Sequence, residues 1–193
     1  HKTTIVEFRE IKKDFKDKKN YWKFVSVSAL FALSWFSISF MIVFGAEVLK
    51  FNKLSIAAVP LLLLIYSLTA SVVSYPSGLL SDKIGRKKVL ALGYLFFVLT
   101  MLGFIMLNSS QSISLVILLF IFYGVYYGIF ETLNKTFISD MAKETKHHEA
   151  FAFGMFQTIF GLLLLPASLI AGLLWDFYGR AAPFYFSFAV SLV

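Results

Sequence analysis

Gly78-Leu79-Leu80-Ser81-Asp82-Lys83-Ile84-Gly85-Arg86 is echoed 94 residues later by Gly172-Leu173-Leu174-Trp175-Asp176-Phe177-Tyr178-Gly179-Arg180. Both stretches read G-L-L-x-D-x-x-G-R. Each copy closes one apolar run and opens the next, and three apolar runs lie between them. If every run crosses a membrane, the copies fall on opposite sides, and the chain is an inverted repeat.

Composition makes the membrane the first partner. The 193 residues are 59% hydrophobic and 15% charged, with a mean hydropathy of +0.78, more apolar side chain than a water-soluble domain of this length can bury. The apolar runs give six spans at about 24–46, 54–80, 89–107, 112–141, 150–175 and 181–193, the fourth charge-free to 130 and extended as a helix to about 141. Backbone amides in lipid must be paired within their own segment, so the runs are expected to be helices. The expected fold is an all-α integral membrane protein, six transmembrane helices in a 3+3 inverted repeat. The last run holds only 13 residues, where a span needs about 20, so the sixth helix reads as truncated.

Lys and Arg set the orientation. Residues 1–23 hold eight, 81–88 four and 135–149 three, against Lys50, Lys53 and Arg180 on the other side. Fifteen against three places the N-terminal segment and the Asp82 loop in the cytoplasm, and makes the chain multi-pass in a cytoplasmic membrane of bacterial type. The second copy has Ala181-Ala182 where the first has Lys87-Lys88, as the outer side requires. The net charge of +7 is thereby a topology signal and not a nucleic-acid footprint. Residues 1–23 form a separate segment: Ile5, Phe8, Ile11 and Phe15 share one helical face among cations, which reads as an amphipathic helix on the cytoplasmic leaflet.

Catalytic chemistry has little to stand on. The chain has no cysteine, its three histidines are terminal His1 and adjacent His147-His148, and no phosphate loop, catalytic triad or metal cluster is present. No enzyme activity, no metal and no cofactor are expected.

The segment Gly78–Lys88, GLLSDKIGRKK, closely resembles the signature loop of the major facilitator superfamily, G-x-L-x-D-[RK]-x-G-[RK]-[RK]. In that family a second copy of the loop joins helices eight and nine. One span and a basic amphipathic segment precede the span leading into the loop here, which matches the family's cytoplasmic linker followed by helix seven. The resemblance therefore implies that residues 24–193 are the C-terminal six-helix half of a secondary transporter, with 1–23 as linker. It implies partners too: the bilayer, a missing N-terminal half, a small-molecule substrate and a coupling ion such as H+. It assigns Gly78, Asp82, Lys83, Gly85, Arg86 and Lys87 to a conformational latch, with Gly172, Asp176, Gly179 and Arg180 as the inverted copy. A non-transporting scaffold or receptor on the same fold is the alternative.

The fourth span carries the richest stripe. Tyr123, Tyr127, Glu131 and Lys135 recur every four residues beside Gly124 and Gly128, so a polar face runs alongside a close-packing G-x-x-x-G. Such a face is expected to turn inward. Glu131 lies about 28 Å along the helix from Ser112, at about 1.5 Å per residue, near the cytoplasmic edge. Three roles fit it: a gate ion pair with Lys135, a coupling or substrate carboxylate, and an interfacial charge. Ser34 and Ser37, one turn apart on the first span, are cavity candidates, although serines in helices commonly bond their own backbone. Pro76 and Pro166 are expected to kink their helices.

Overall fold

A computed structural model describes residues 19–48, 55–107, 112–143 and 149–192. The amphipathic segment up to residue 18, Lys50, Lys53 and residues 144–148 lie outside the described residues. Every regular element among those described is an α-helix: α1 (Lys19–Ala32), α2 (Ile38–Val48), α3 (Ser55–Ile84), α4 (Arg86–Leu107), α5 (Ile113–Lys143), α6 (Glu149–Tyr178) and α7 (Ala182–Ser191). Helices α3 to α6 are each long and apolar enough to cross a bilayer.

α3 stops at Ile84 and α6 at Tyr178, 94 positions apart. α3 and α6 end alike. Gly85 and Gly179 have φ of +94° and +92°, and the N–H of each donates to the carbonyl four residues back, Ser81 or Trp175, at 3.0 Å. A left-handed residue closing a helix is inexpensive only for glycine. The sequence signature is thus a helix stop, used twice.

Side-chain contacts place the two copies at opposite ends of the bundle. Arg86, opening α4, pairs with Asp140 near the end of α5. At the same end Phe24 of α1 stacks on Phe137 of α5 at 4.7 Å. At the other end Phe44 of α2 meets Trp175, Phe104 and Phe184, and the Arg180 guanidinium lies 6.0 Å from the Phe44 ring.

The first span departs from the expected continuous helix over 24–46. It breaks at Leu33–Ser37 into α1 and α2. The cause is not proline, since α3 runs on through Pro60 and Pro76 and α6 through Pro166. Serine hydroxyls take over the backbone instead. Ser34 Oγ donates to the Phe31 carbonyl at 2.6 Å, and the Ser39 N–H donates to Ser37 Oγ at 3.3 Å, so Ser37 caps α2. The Ser34 carbonyl, freed by the break, accepts a hydrogen bond from Ser187 Oγ of α7 at 2.5 Å. A broken helix at membrane depth survives where protein satisfies its polar groups, and this one is so satisfied.

α5 is the hub of the core, burying Tyr123, Tyr126, Ile129, Phe130 and Leu133. α3 and α6 are peripheral. Leu61, Leu64, Leu68, Val72, Tyr75 and Leu79 form an exposed stripe on α3, and Leu162, Leu165, Leu169, Leu173 and Phe177 form one on α6. Apolar stripes of that length belong to an integral membrane protein.

Glycine sets the distance between α3 and α5. A Cβ at Gly124 would lie 2.8 Å from the Tyr66 carbonyl oxygen, and one at Gly128 would lie 2.5 Å from that of Ala70. Both obstacles are backbone and cannot rotate away. Gly154 on α6 has open space around it. A Gly→Ala change returns about 1 kcal/mol of helix propensity, whereas overpacking costs about 1–3 kcal/mol. In detergent-solubilised full-length protein, Gly128→Ala should therefore lower the thermal unfolding midpoint while Gly154→Ala leaves it unchanged or raises it. Equal midpoints for the two variants would contradict the close approach.

Candidate functional site

The break in the first span turns Trp35 into the centre of the bundle. Its Nε1 donates to Tyr123 Oη on α5 at 2.6 Å. Its ring meets Phe130 at 5.2 Å and Phe160 of α6 at 5.3 Å, both edge-on. These contacts tie the irregular segment to α5 and α6 at the middle of their lengths. Tyr66 reaches in from α3, 5.5 Å from the Tyr123 ring and 5.3 Å from that of Tyr127. That reach depends on the glycine contact, because Gly124 sits against the Tyr66 carbonyl.

Around these rings is a cavity of about 310 Å³, lined by Trp35, Phe36, Ser37, Ile38, Tyr66, Tyr123, Tyr127, Leu164 and Ser168. Aromatic faces dominate, with serine and tyrosine hydroxyls as the polar groups. A second cavity of about 260 Å³ shares Trp35, Tyr127 and Leu164 with the first and extends toward the end that carries Arg86 and Asp140. It is the more polar of the two, adding Glu131, Asn134, Lys135 and Gln157. Asn134 Oδ1 is buried without a hydrogen-bond partner, so an acceptor stands ready beside this space. The pair forms one trough from mid-depth to the signature end, built from the first span, α3, α5 and α6. An apolar pocket with a few polar groups is the usual form of a small-molecule site.

The candidate residues separate by place. Tyr123 and Tyr127 are in the upper cavity, and Glu131 and Lys135 in the lower. Glu131 and Lys135 form an ion pair at 2.6 Å, with side chains 40% and 56% exposed. An i,i+4 pair that open is worth only about 0.3–0.5 kcal/mol. It adds little to stability and borders the lower cavity on the side of the signature end. Ser37 lines the upper cavity. Ser34 is fully buried, with its hydroxyl on the Phe31 carbonyl.

The signature residues lie away from the trough. A Cβ at Gly78 would lie 3.7 Å from Thr132 of α5, and one at Gly172 would lie 3.9 Å from Phe40 of α2. Arg86 holds Asp140 and also donates to the Thr136 carbonyl at 2.8 Å, clamping the start of α4 to the end of α5. Asp82, Lys83 and Lys87 are exposed, and Asp82 has no ion pair among the described residues. Asp176, Gly179 and Arg180 are exposed at the opposite end.

Trp35, Tyr66, Asn134, Gln157 and Ser168 line the trough without having been singled out as site residues from sequence. Tyr66 and Asn134 carried a faint signal, as polar-tipped side chains inside apolar runs. Trp35 lies in sequence between the cavity candidates Ser34 and Ser37, but its central position depends on the helix break. Among the described residues, no three His, Cys, Asp or Glu side chains group as metal ligands.

The model of the Major Facilitator Superfamily matches residues 5–193. Two proteins of Methanocaldococcus jannaschii are similar. The uncharacterized MFS-type transporter MJ1317 is 42% identical over 154 residues, 79% of this chain and 37% of that protein. The uncharacterized MFS-type transporter MJ1560 is 28% identical over 121 residues, 63% of this chain and 30% of that protein. The chain thus spans between a quarter and two fifths of the length of these relatives. A family match over nearly every residue, together with a multi-pass helical bundle ending its helices on the repeated glycine turn, places the chain in the Major Facilitator Superfamily of membrane transporters.

Proposed function

We propose that the chain is the C-terminal six-helix half of a secondary transporter that moves a small, partly apolar solute by alternating access, driven by an ion gradient. The observation that carries this reading is the aromatic cavity at mid-depth, built where the first span breaks. A discontinuous helix beside a midplane site is how transporters offer irregular backbone and polar groups to a solute without exposing them to lipid. The exposed stripes on α3 and α6 suit contact with a preceding half that supplies the other wall. Residues 1–23 act as the cytoplasmic linker, and the Lys and Arg asymmetry puts the Asp82 end in the cytoplasm.

The cysteine-free chain suits accessibility labelling of Ser37→Cys in full-length, otherwise cysteine-free protein in sealed vesicles. A membrane-impermeant maleimide should reach it from one side at a time, and an imposed ion gradient should switch that side. Simultaneous labelling from both sides would mean a channel. Labelling whose side never switches would mean a scaffold or receptor.

We assign Asp82 the latch. It sits on the last turn of α3 while its neighbour Arg86 is engaged with Asp140, so its carboxylate remains available to the opposite half. A charge-assisted hydrogen bond is worth about 1.5–3 kcal/mol, so Asp82→Asn should shift the conformational equilibrium by roughly 10- to 100-fold. Transport in proteoliposomes should fall accordingly with insertion intact; unchanged transport at matched expression would reject the role. Glu131 is assigned to the gate. Glu131→Gln should change turnover by about twofold, the weight of an exposed i,i+4 pair, and should leave the pH dependence of transport in place. Loss of that dependence would make Glu131 the coupling carboxylate instead.

A further inference from the structure

A third cavity, of about 540 Å³, lies on the flank of the bundle, between the start of α1 and the start of α4. It is lined by Lys23, Phe24, Val27, Lys87, Leu90, Ala91, Tyr94 and Phe137. Its composition changes with depth. Lys23 and Lys87 stand at the outer end, both exposed and without an ion pair among the described residues. One turn deeper come the apolar groups Val27, which is 60% exposed, and Leu90 with Ala91. Tyr94 follows, two turns beyond Lys87 and about 10 Å further along α4, its ring held 4.4 Å from that of Phe31. The Phe24–Phe137 stack forms the inner wall beside the lysines.

We infer that this groove binds a membrane phospholipid with an anionic headgroup, the phosphate between Lys23 and Lys87 and one chain along Val27, Ala91 and Tyr94. Charge, depth and shape agree on that occupant. Two cations in one rim, neither with an ion pair among the described residues, attract an anion. The apolar wall below them calls for a hydrocarbon tail on the same molecule. The groove belongs to the bundle end that carries the Arg86–Asp140 clamp, so Lys23 and Lys87 lie at headgroup level and Val27, Ala91 and Tyr94 in the acyl region. The chain's own N-terminal segment fits poorly: residues 1–22 carry seven Lys and Arg against four Asp and Glu, the same net sign as the rim. The inference needs only the membrane setting and stands whether or not the transport reading does.

The test uses full-length protein in vesicles of zwitterionic phosphatidylcholine doped with phosphatidylglycerol bearing a photoactivatable group on one chain. Cross-links should map to the peptides around Val27 and around Leu90–Tyr94. Each lysine near an anionic headgroup is worth about fivefold in affinity, so Lys23→Gln with Lys87→Gln should cut this cross-linking by roughly 25-fold. Lys83→Gln with Lys88→Gln removes the same charge from the same end outside the groove and should change it less than about twofold. Equal loss in both double variants would overturn the inference in favour of a diffuse surface potential. Equal labelling by photoactivatable phosphatidylcholine would reduce the groove to an apolar fit, and displacement by millimolar inorganic phosphate would make it a free-anion site. Either result refutes an anionic-lipid site.

Discussion

The contact of α5 with the backbone of α3 at Gly124 and Gly128 is the constraint on which the central architecture depends. α5 offers no side chain at either position, and a single methyl would meet a carbonyl oxygen at 2.5–2.8 Å. In lipid, helices gain no hydrophobic energy by associating, so close van der Waals packing has to supply the attraction. The same proximity carries Tyr66 onto Tyr123 and Tyr127. Those rings are one wall of the cavity, and Tyr123 is in turn the acceptor for Trp35. A separation of α3 from α5 would open the wall and loosen the anchor of the broken span together.

The broken span shows how irregular backbone is tolerated at membrane depth. Polar interactions surround it: the Ser34 hydroxyl onto the Phe31 carbonyl, the Ser39 N–H onto the Ser37 hydroxyl, and the Ser187 hydroxyl onto the Ser34 carbonyl. An unsatisfied backbone group in hydrocarbon costs several kcal/mol, so each of these bonds permits the break where a bare one would be prohibitive. The sequence offset between the two signature stretches makes the contrast sharper. At the same 94-residue offset, Leu33–Ser37 corresponds to Tyr127–Glu131, which stays helical within α5. The first span provides an irregular, hydroxyl-rich wall, and α5 a regular helix with tyrosines and a carboxylate. A site formed between unlike walls is asymmetric by construction.

Charge is arranged by bundle end. The end carrying Arg86, Asp140, Lys23 and Lys87 is rich in cations, with one acid clamped and another, Asp82, left accessible. The opposite end keeps the glycine turn and Arg180 but has alanines in place of the lysine pair. The same turn serves both ends because its job there is geometric: a glycine at φ near +90° closes one helix and reverses the chain. The added lysines at one end perform a separate, electrostatic job.

Much of this protein is legible in its residues alone. The membrane setting follows from hydropathy, and the helical class from the need to pair every backbone amide in lipid. The duplicated turn and its glycines, and the close-packing face at Gly124 and Gly128, can be read from spacing, because each rests on local backbone sterics or on a periodicity within one helix. The break at Leu33–Ser37, the central place of Trp35, and the roles of Tyr66, Asn134 and Ser168 cannot be read that way. Each depends on what another helix presents: Ser187 receiving a freed carbonyl, Tyr123 accepting the indole N–H, α3 approaching because α5 lacks two Cβ atoms. Local chemistry determined which segments become helices and where they stop; only the packing of those helices decided which side chains share a cavity, because that depends on distances between elements far apart in the chain.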